Sequence, residues 1–254
     1  MPEGTSHQGG RGRGPADASS LRRGFWFALD SEQRAALGEA ARSRSYAPGS
    51  PLVHQGDESN DVTIIEDGWA KVTSTTEDGH DVVLAVRGPG DLIAESVVLG
   101  GRTRSATVTA LSPLRALMFP AARFTAFLKF HPEAWRLVSG TFVQRLDEAD
   151  RRLEAHLTST GTQRLALLLV DLAEESALRS PAGADGSIDI APTLSQTEIG
   201  SWVDASRETV ARGLALLRRR GLVRTGRRKI TVVDQHALRA FAQGIPTASH
   251  HDDH

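Results

Sequence analysis

The sequence predicts an α+β chain: a small antiparallel β-roll, then one long amphipathic helix, then a helical module closed by a two-stranded wing. Three observations carry this. Gly56, Gly68, Gly79, Gly90 and Gly101 recur about every eleven residues, with short β-rich runs between them. From Pro132 the apolar period changes to about 3.5 residues. From Ser195 to Ile230 nine basic residues face three acids, a net +6. The whole chain is −1, so the remainder carries −7, the asymmetry expected of one polyanion-binding module on an acidic body.

The elements follow in order. Residues 1–23 are rich in Gly, Ser and Arg without periodicity and read as a disordered arm. Asp30 followed three residues later by Gln33 forms a capping-box pattern, which predicts a short helix through about Ala41. The roll is expected from Tyr46 to Pro120, built on "DVTII", "WAKVTST", "DVVLAV", "SATVTAL" and "LRALMF". Flanking helices complete a roll domain over 24–131.

The long helix is expected over 132–158. Trp135, Val138, Phe142, Leu146, Ala149, Leu153 and His156 form a seam averaging 3.5 residues, the spacing of a coiled coil. A helix lying on its own domain is the other reading. A position between two domains favours a second copy of the chain as partner. "STGTQRLALLLVDLAEESA" then predicts another amphipathic helix and "SPAGADGS" a loop. "LSQTEIGSWV", "SRETVARGLALLRRRG", "LVRTG" and "KITVVD" read as helix, turn, helix and wing, a winged helix-turn-helix over 159–243. The tail, 244–254, is expected to be disordered.

On a helical wheel, Val210, Leu214 and Leu217 fall on one stripe, while Glu208 and Arg212 lie opposite it with Arg207 on the flank. Guanidinium groups can donate two parallel bonds to guanine, and a carboxylate can accept from the cytosine amine. A glutamate aimed at phosphate would be repelled, so this trio points to base reading. Pairing of Glu208 with Arg212 four residues on is the bland account, and the two are compatible. Ser206, Thr209, Thr197, Arg227, Arg228 and Lys229 are the candidates for backbone contacts.

"TEIGSWVDASRETVARGLALLRRRGLV" resembles the helix-turn-helix of the cyclic-AMP receptor/fumarate–nitrate regulator (CRP/FNR) superfamily. "HQGD", "EDGHDVVLAVRGPGDLIAES" and "RTRSATVTAL" follow the family order upstream, so the resemblance covers about Phe25 to Phe241. It implies a homodimeric transcription regulator, with Arg207, Glu208 and Arg212 reading a GTGA-type half-site of a palindrome. It also implies a cyclic-nucleotide-binding-like roll whose cassette is "GDLIAESVVLGGRTRSATV". There Glu95 would take a ribose hydroxyl, and Arg104 and Ser105 the cyclic phosphate. Ser96 and Asp150 are further ligand candidates.

Three positions depart from the family pattern. Ala94 stands where Gly is usual, and the loop between Glu95 and Arg104 is about one residue short. Ala149 and Asp150 replace the Thr-Ser pair that meets adenine in the cyclic-AMP receptor. Cyclic AMP or a related nucleotide, another effector, and no effector at all therefore stay open. In the last case Glu95 and Arg104 would form an internal ion pair. Double-stranded DNA, a second copy of the chain and RNA polymerase are the implied partners.

The lack of cysteine excludes disulfides and cysteine-held iron–sulfur clusters. His54 and His80 read as solvated turn residues rather than haem ligands. The tail histidines carry no functional weight. No nucleophile–base set, P-loop or metal-ligand spacing is present, so no enzyme is expected. Nothing resembles a membrane span or a signal peptide, and a soluble cytoplasmic protein without membrane partners is expected.

Overall fold

The computed structural model describes residues 24–58, 60–96 and 103–245. The expected disordered arm, Gly101 and nearly all of the tail lie outside these residues. Helix α1 (Phe25–Ala28) is followed by α2 (Ser31–Gly38), which opens on the expected capping box. Asp30 accepts from the Gln33 amide at 2.9 Å, and Gln33 accepts from the Asp30 amide at 3.0 Å. The helix stops before Ala41 because β1 (Arg42–Tyr46) begins there. This strand precedes the expected start of the roll. Its residues, "RSRSY", are polar and exposed except Tyr46, so only backbone pairing with β8 reveals it.

The roll continues with β2 (Pro51–Val53), β3 (Asp61–Asp67), β4 (Ala70–Thr75), β5 (Asp81–Arg87), β6 (Leu92–Ile93), β7 (Thr107–Ala110) and β8 (Leu114–Pro120). These form two antiparallel sheets, ordered β1-β8-β3-β6 and β2-β7-β4-β5. Val62, Ile64, Ile65, Leu92 and Phe119 are fully buried between or beneath them. Gly68 shows why the glycine turns are needed: its φ is +87°, and a Cβ there would lie 2.3 Å from the Pro113 carbonyl.

Helix α3 (Ala121–Phe130) leads into α4 (Pro132–Thr158), the long helix. Its exposed seam differs from the expected one. The first turns lie on the roll, so Ala134, Leu137 and Val138 are buried there and Phe142 is half-buried against the same core. The exposed apolar stripe runs instead through Val143, Leu146, Leu153 and Leu157, with Asp150 completing the 3.5-residue rhythm.

The C-terminal part comprises α5 (Gly161–Ala177), β9 (Ile188–Asp189), α6 (Gln196–Val203), α7 (Arg207–Arg219), β10 (Val223–Gly226), β11 (Lys229–Val232) and α8 (Gln235–Ala242). The expected two-stranded wing is a three-stranded sheet, β10-β11-β9. Its third strand has two residues and follows a Pro/Gly-rich loop, too short to show a period. The closing helix α8 buries Leu238 against the module.

One hydrophobic cluster crosses between the parts. Trp69, Val83 and Val86 of the roll pack with Leu168, Leu172 and Trp202 of the C-terminal module. The Arg179 guanidinium, beyond the end of α5, lies 5.0 Å over the Trp69 ring and donates to the Pro89 carbonyl at 3.1 Å. Ser201 of α6 donates to the Asp81 carbonyl at 2.7 Å, and Lys71 of β4 meets Glu198 at 2.5 Å. The roll and the module are thus joined by both apolar and polar contacts.

The turn between α6 and α7 is tight. A Cβ at Gly200 would lie 2.5 Å from the Ala205 carbonyl oxygen, a backbone atom with no side-chain freedom to retreat. We expect Gly200→Ala to cost about 2 kcal/mol by overpacking, read as a lower midpoint in urea unfolding. An unchanged midpoint would mean that the turn opens freely.

Candidate nucleic-acid interface and ligand cassette

Helix α7 begins at Ser206, whose hydroxyl accepts from the Thr209 amide at 3.1 Å and so caps the first turn. Val210, Leu214 and Leu217 face inward and are buried, as the wheel predicts. That leaves Arg207, Glu208 and Arg212 together on the outer face. Glu208 and Arg212 pair at 3.1 Å while their side chains stay 77% and 69% exposed. A pair so open contributes little to stability, so burial does not explain the charges.

The other candidates divide. Thr209 is half-buried and its hydroxyl lies 3.0 Å from that of Ser206, so both are engaged in the cap. Thr197 is exposed in the first turn of α6. Arg227, Arg228 and Lys229 form the exposed turn of the wing. Arg228 has a φ of +55°, a left-handed conformation that a residue with a Cβ adopts only at a cost. Lys229 is paired with Asp189 at 2.8 Å, and Arg224 with Asp185 at 3.2 Å. Bonds to Ser187, then the Arg224 contact, hold Asp185 down at about 2. The Lys229 bond, then that of Thr231, lowers Asp189.

Arg164, which sequence reasoning missed, fixes the turn that aims α7. From α5 it donates to the carbonyls of Ser159, Val203 and Asp204 at 2.9, 2.7 and 2.9 Å. Asp204 itself is left-handed, with φ of +49°. An arginine four residues after a Thr cap carries no sequence signal for this task.

In the cassette, Glu95 and Arg104 are both buried, each 4% exposed. Glu95 pairs through Oε1 with Arg145 of the long helix, which also donates to the Leu92 carbonyl. Arg104 donates to the Ala94 carbonyl at 2.7 Å and to that of Asp61. Burial lowers both guanidinium pKa values; Glu95 opposes this at Arg145, and Asp61, then Glu95, at Arg104. Arg145 was not among the sequence candidates, because one arginine among several on a charged helix does not stand out.

Ala94 has a φ of +69°, so the backbone keeps the conformation for which glycine is suited. Ser96 and Ser105 are exposed at the two ends of the described cassette, and the segment between them is outside the described residues in part. Asp150 is not brought to the cassette within the chain. It lies on the exposed stripe with Leu146 and Leu153, about 140° around the helix from Arg145.

Two family models match the chain: the cyclic nucleotide-binding domain over residues 43–131 and the Crp-like helix-turn-helix domain over residues 163–241. This chain belongs to the CRP/FNR superfamily. A CRP-like cAMP-activated global transcriptional regulator of Mycobacterium tuberculosis is 24% identical over 222 residues, 87% of this chain and 97% of that protein. The cyclic AMP receptor protein of Thermus thermophilus is 28% identical, over 80% of this chain and 88% of its own. Among solved structures, FixK2 from Bradyrhizobium japonicum superposes with a TM-score of 0.68 at 18% identity, over 82% of this chain and 98% of that one. The CRP/FNR chain is therefore a DNA-binding transcription regulator with a cyclic nucleotide-binding domain, and not an enzyme. Among its described residues no helix is long and apolar enough to cross a membrane, and no cluster of metal-ligating side chains occurs.

Two substitutions test the left-handed positions. Ala94→Gly relieves the backbone and should stabilise the fold by about 1 kcal/mol, measured by thermal unfolding; a loss of stability would contradict the strain. Arg228→Gly should stabilise by a similar amount yet weaken binding to every DNA sequence alike. An anisotropy titration that shows unchanged affinity would remove Arg228 from the interface.

Proposed function

We propose that two copies of the chain, joined along α4, bind a GTGA-type palindrome. Arg207, Glu208 and Arg212 read base edges, and Ser206, Thr209, Thr197, Arg227, Arg228 and Lys229 line the DNA backbone. The observation that carries this is the exposed carboxylate between two exposed guanidinium groups at the start of a capped, firmly packed helix. Such an acid opposes phosphate binding and suits the cytosine amine. The apolar stripe of Val143, Leu146, Leu153 and Leu157 supports self-association, since its period matches a coiled-coil partner. A two-fold axis there would set the recognition helices about one DNA turn, roughly 34 Å, apart. RNA polymerase is the partner through which such a regulator acts.

A nucleotide in the roll is the proposed modulator. Glu95 Oε2 is buried and has no hydrogen-bond partner among the described residues, which suits a ligand hydroxyl. Arg104 and Ser105 would hold its phosphate, with Ser96 at the cassette edge and Asp150 reaching a nucleotide only across the two-fold axis. A second reading rests on Arg145. It pairs with Glu95, so a guanidinium of the chain itself takes the carboxylate and ties the long helix to the cassette, which favours a ligand-independent or architectural DNA-binding protein.

Fluorescence anisotropy of a TGTGA-N6-TCACA duplex against a scrambled one, with and without cyclic AMP, separates these. Selective binding only with nucleotide is the expected result. Selectivity without it supports the second reading, and no selectivity overturns the base-reading face. On the palindrome, Arg212→Ala should cost about 1–3 kcal/mol and relax base preference. Lys229→Ala should weaken all sequences equally and lower the salt slope by about one.

A further inference from the structure

A cavity of about 500 Å³ opens where the roll, the long helix and the C-terminal module meet. That size suits a small organic molecule. It lies apart from Glu95 and Arg104 of the cassette, neither of which lines it. Its walls include Trp69 and Arg87 from the roll, Val143 from α4, Leu168 and Asp171 from α5, and Trp202 from α6.

One carboxylate in this wall has no partner within the chain: Asp171 is half-buried, and among the described residues its side chain accepts no hydrogen bond and joins no ion pair. Three neighbouring acids are committed, Glu148 to Arg87 at 3.5 Å, Glu175 to Arg179 and Glu174 to Arg239, while Asp147 at the cavity edge is exposed to water. A carboxylate left alone beside apolar walls is costly, and a cation delivered to it recovers that cost.

The protein itself indicates the shape of that cation. Each indole bordering the cavity already carries a planar guanidinium, Arg179 at 5.0 Å over Trp69 and Arg152 at 4.9 Å over Trp202. Flat cations are thus favoured on these rings, by charge against the ring quadrupole and by stacking. Arg152, however, gives a hydrogen bond to the Leu84 carbonyl rather than to Asp171.

We propose that this junction is a second small-molecule site, taking a planar organic cation such as an aryl amidinium that pairs with Asp171 beside Trp202. Its walls come from all three parts of the chain, so occupancy favours one arrangement of the roll against the DNA-binding module.

Titration supports the assignment. Burial raises the Asp171 carboxyl to about 6, against the opposing pull of Arg152 and Arg151. The charged groups around it are Asp147, Glu148, Arg151 and Arg152 on the long helix, Glu174 and Glu175 on its own helix and Arg87 from the roll. The ionised form binds the cation, so affinity is full above that pH and lost below it.

The test is calorimetric titration of the full chain with benzamidine, with benzoate as the anionic control, followed also by indole emission. One saturable site per chain for benzamidine at pH 7.5, and none for benzoate, is expected. Affinity should drop at least fivefold from pH 7.5 to pH 5. Asp171→Asn removes a half-buried charge that has no partner among the described residues and so should fold at least as well as the wild type, while binding at least tenfold more weakly. Arg104→Ala should leave benzamidine binding intact, which separates this site from the cassette. No saturable binding, equal binding of benzoate, or unchanged affinity in Asp171→Asn overturns the proposal.

Discussion

The insertion of Trp69 into the core of the C-terminal module is the contact on which the remaining architecture depends. The ring is 8% exposed and belongs to the same cluster as Trp202 and Leu172, although it sits in the connection between β3 and β4 of the roll. Withdrawing it would expose a large aromatic surface, worth about 2–3 kcal/mol. Gly88 makes room for it, since a Cβ there would lie 2.6 Å from the indole. Arg179 closes the other side and touches Asp91, at 3.5 Å, just before the cassette strand. A shift in the cassette therefore bears on the residue that follows α5, with no intervening flexible linker.

The long helix is held by a second tie of different chemistry. Arg145, itself half-buried, brings its charge to the buried Glu95 carboxylate and to the Leu92 carbonyl. Breaking that pair would leave the Glu95 charge buried and uncompensated, a costly arrangement. An apolar wedge and a buried ion pair thus divide the labour. One joins the roll to the DNA-binding module, and the other joins the roll to α4.

Much of this was legible in the sequence, for identifiable reasons. The capping box at Asp30, the strands between glycine turns and the buried stripe of α7 follow local rules, so composition and spacing suffice. The outward placement of Arg207, Glu208 and Arg212 follows from that same stripe. What escaped is non-local. Strand β1 has no apolar alternation because it is an edge, and β9 is two residues long. The seam shifted because Val138 was spent on the roll, which periodicity along one helix cannot register. Arg145, Arg164 and Arg179 matter through partners roughly 40 to 90 residues away, and one arginine looks like another until the chain is folded.

The pairing of the wing and recognition-helix cations with nearby acids has a kinetic consequence. Lys229 is held by Asp189, Arg224 by Asp185 and Arg212 by Glu208, so part of the formal +6 of this segment is neutralised before any DNA arrives. Each such cation must exchange one partner for another, and displaces fewer counterions on balance than a free one. On the proposed interface, contacts with arbitrary sequence would therefore be brief, and longer only where base edges replace the lost partners.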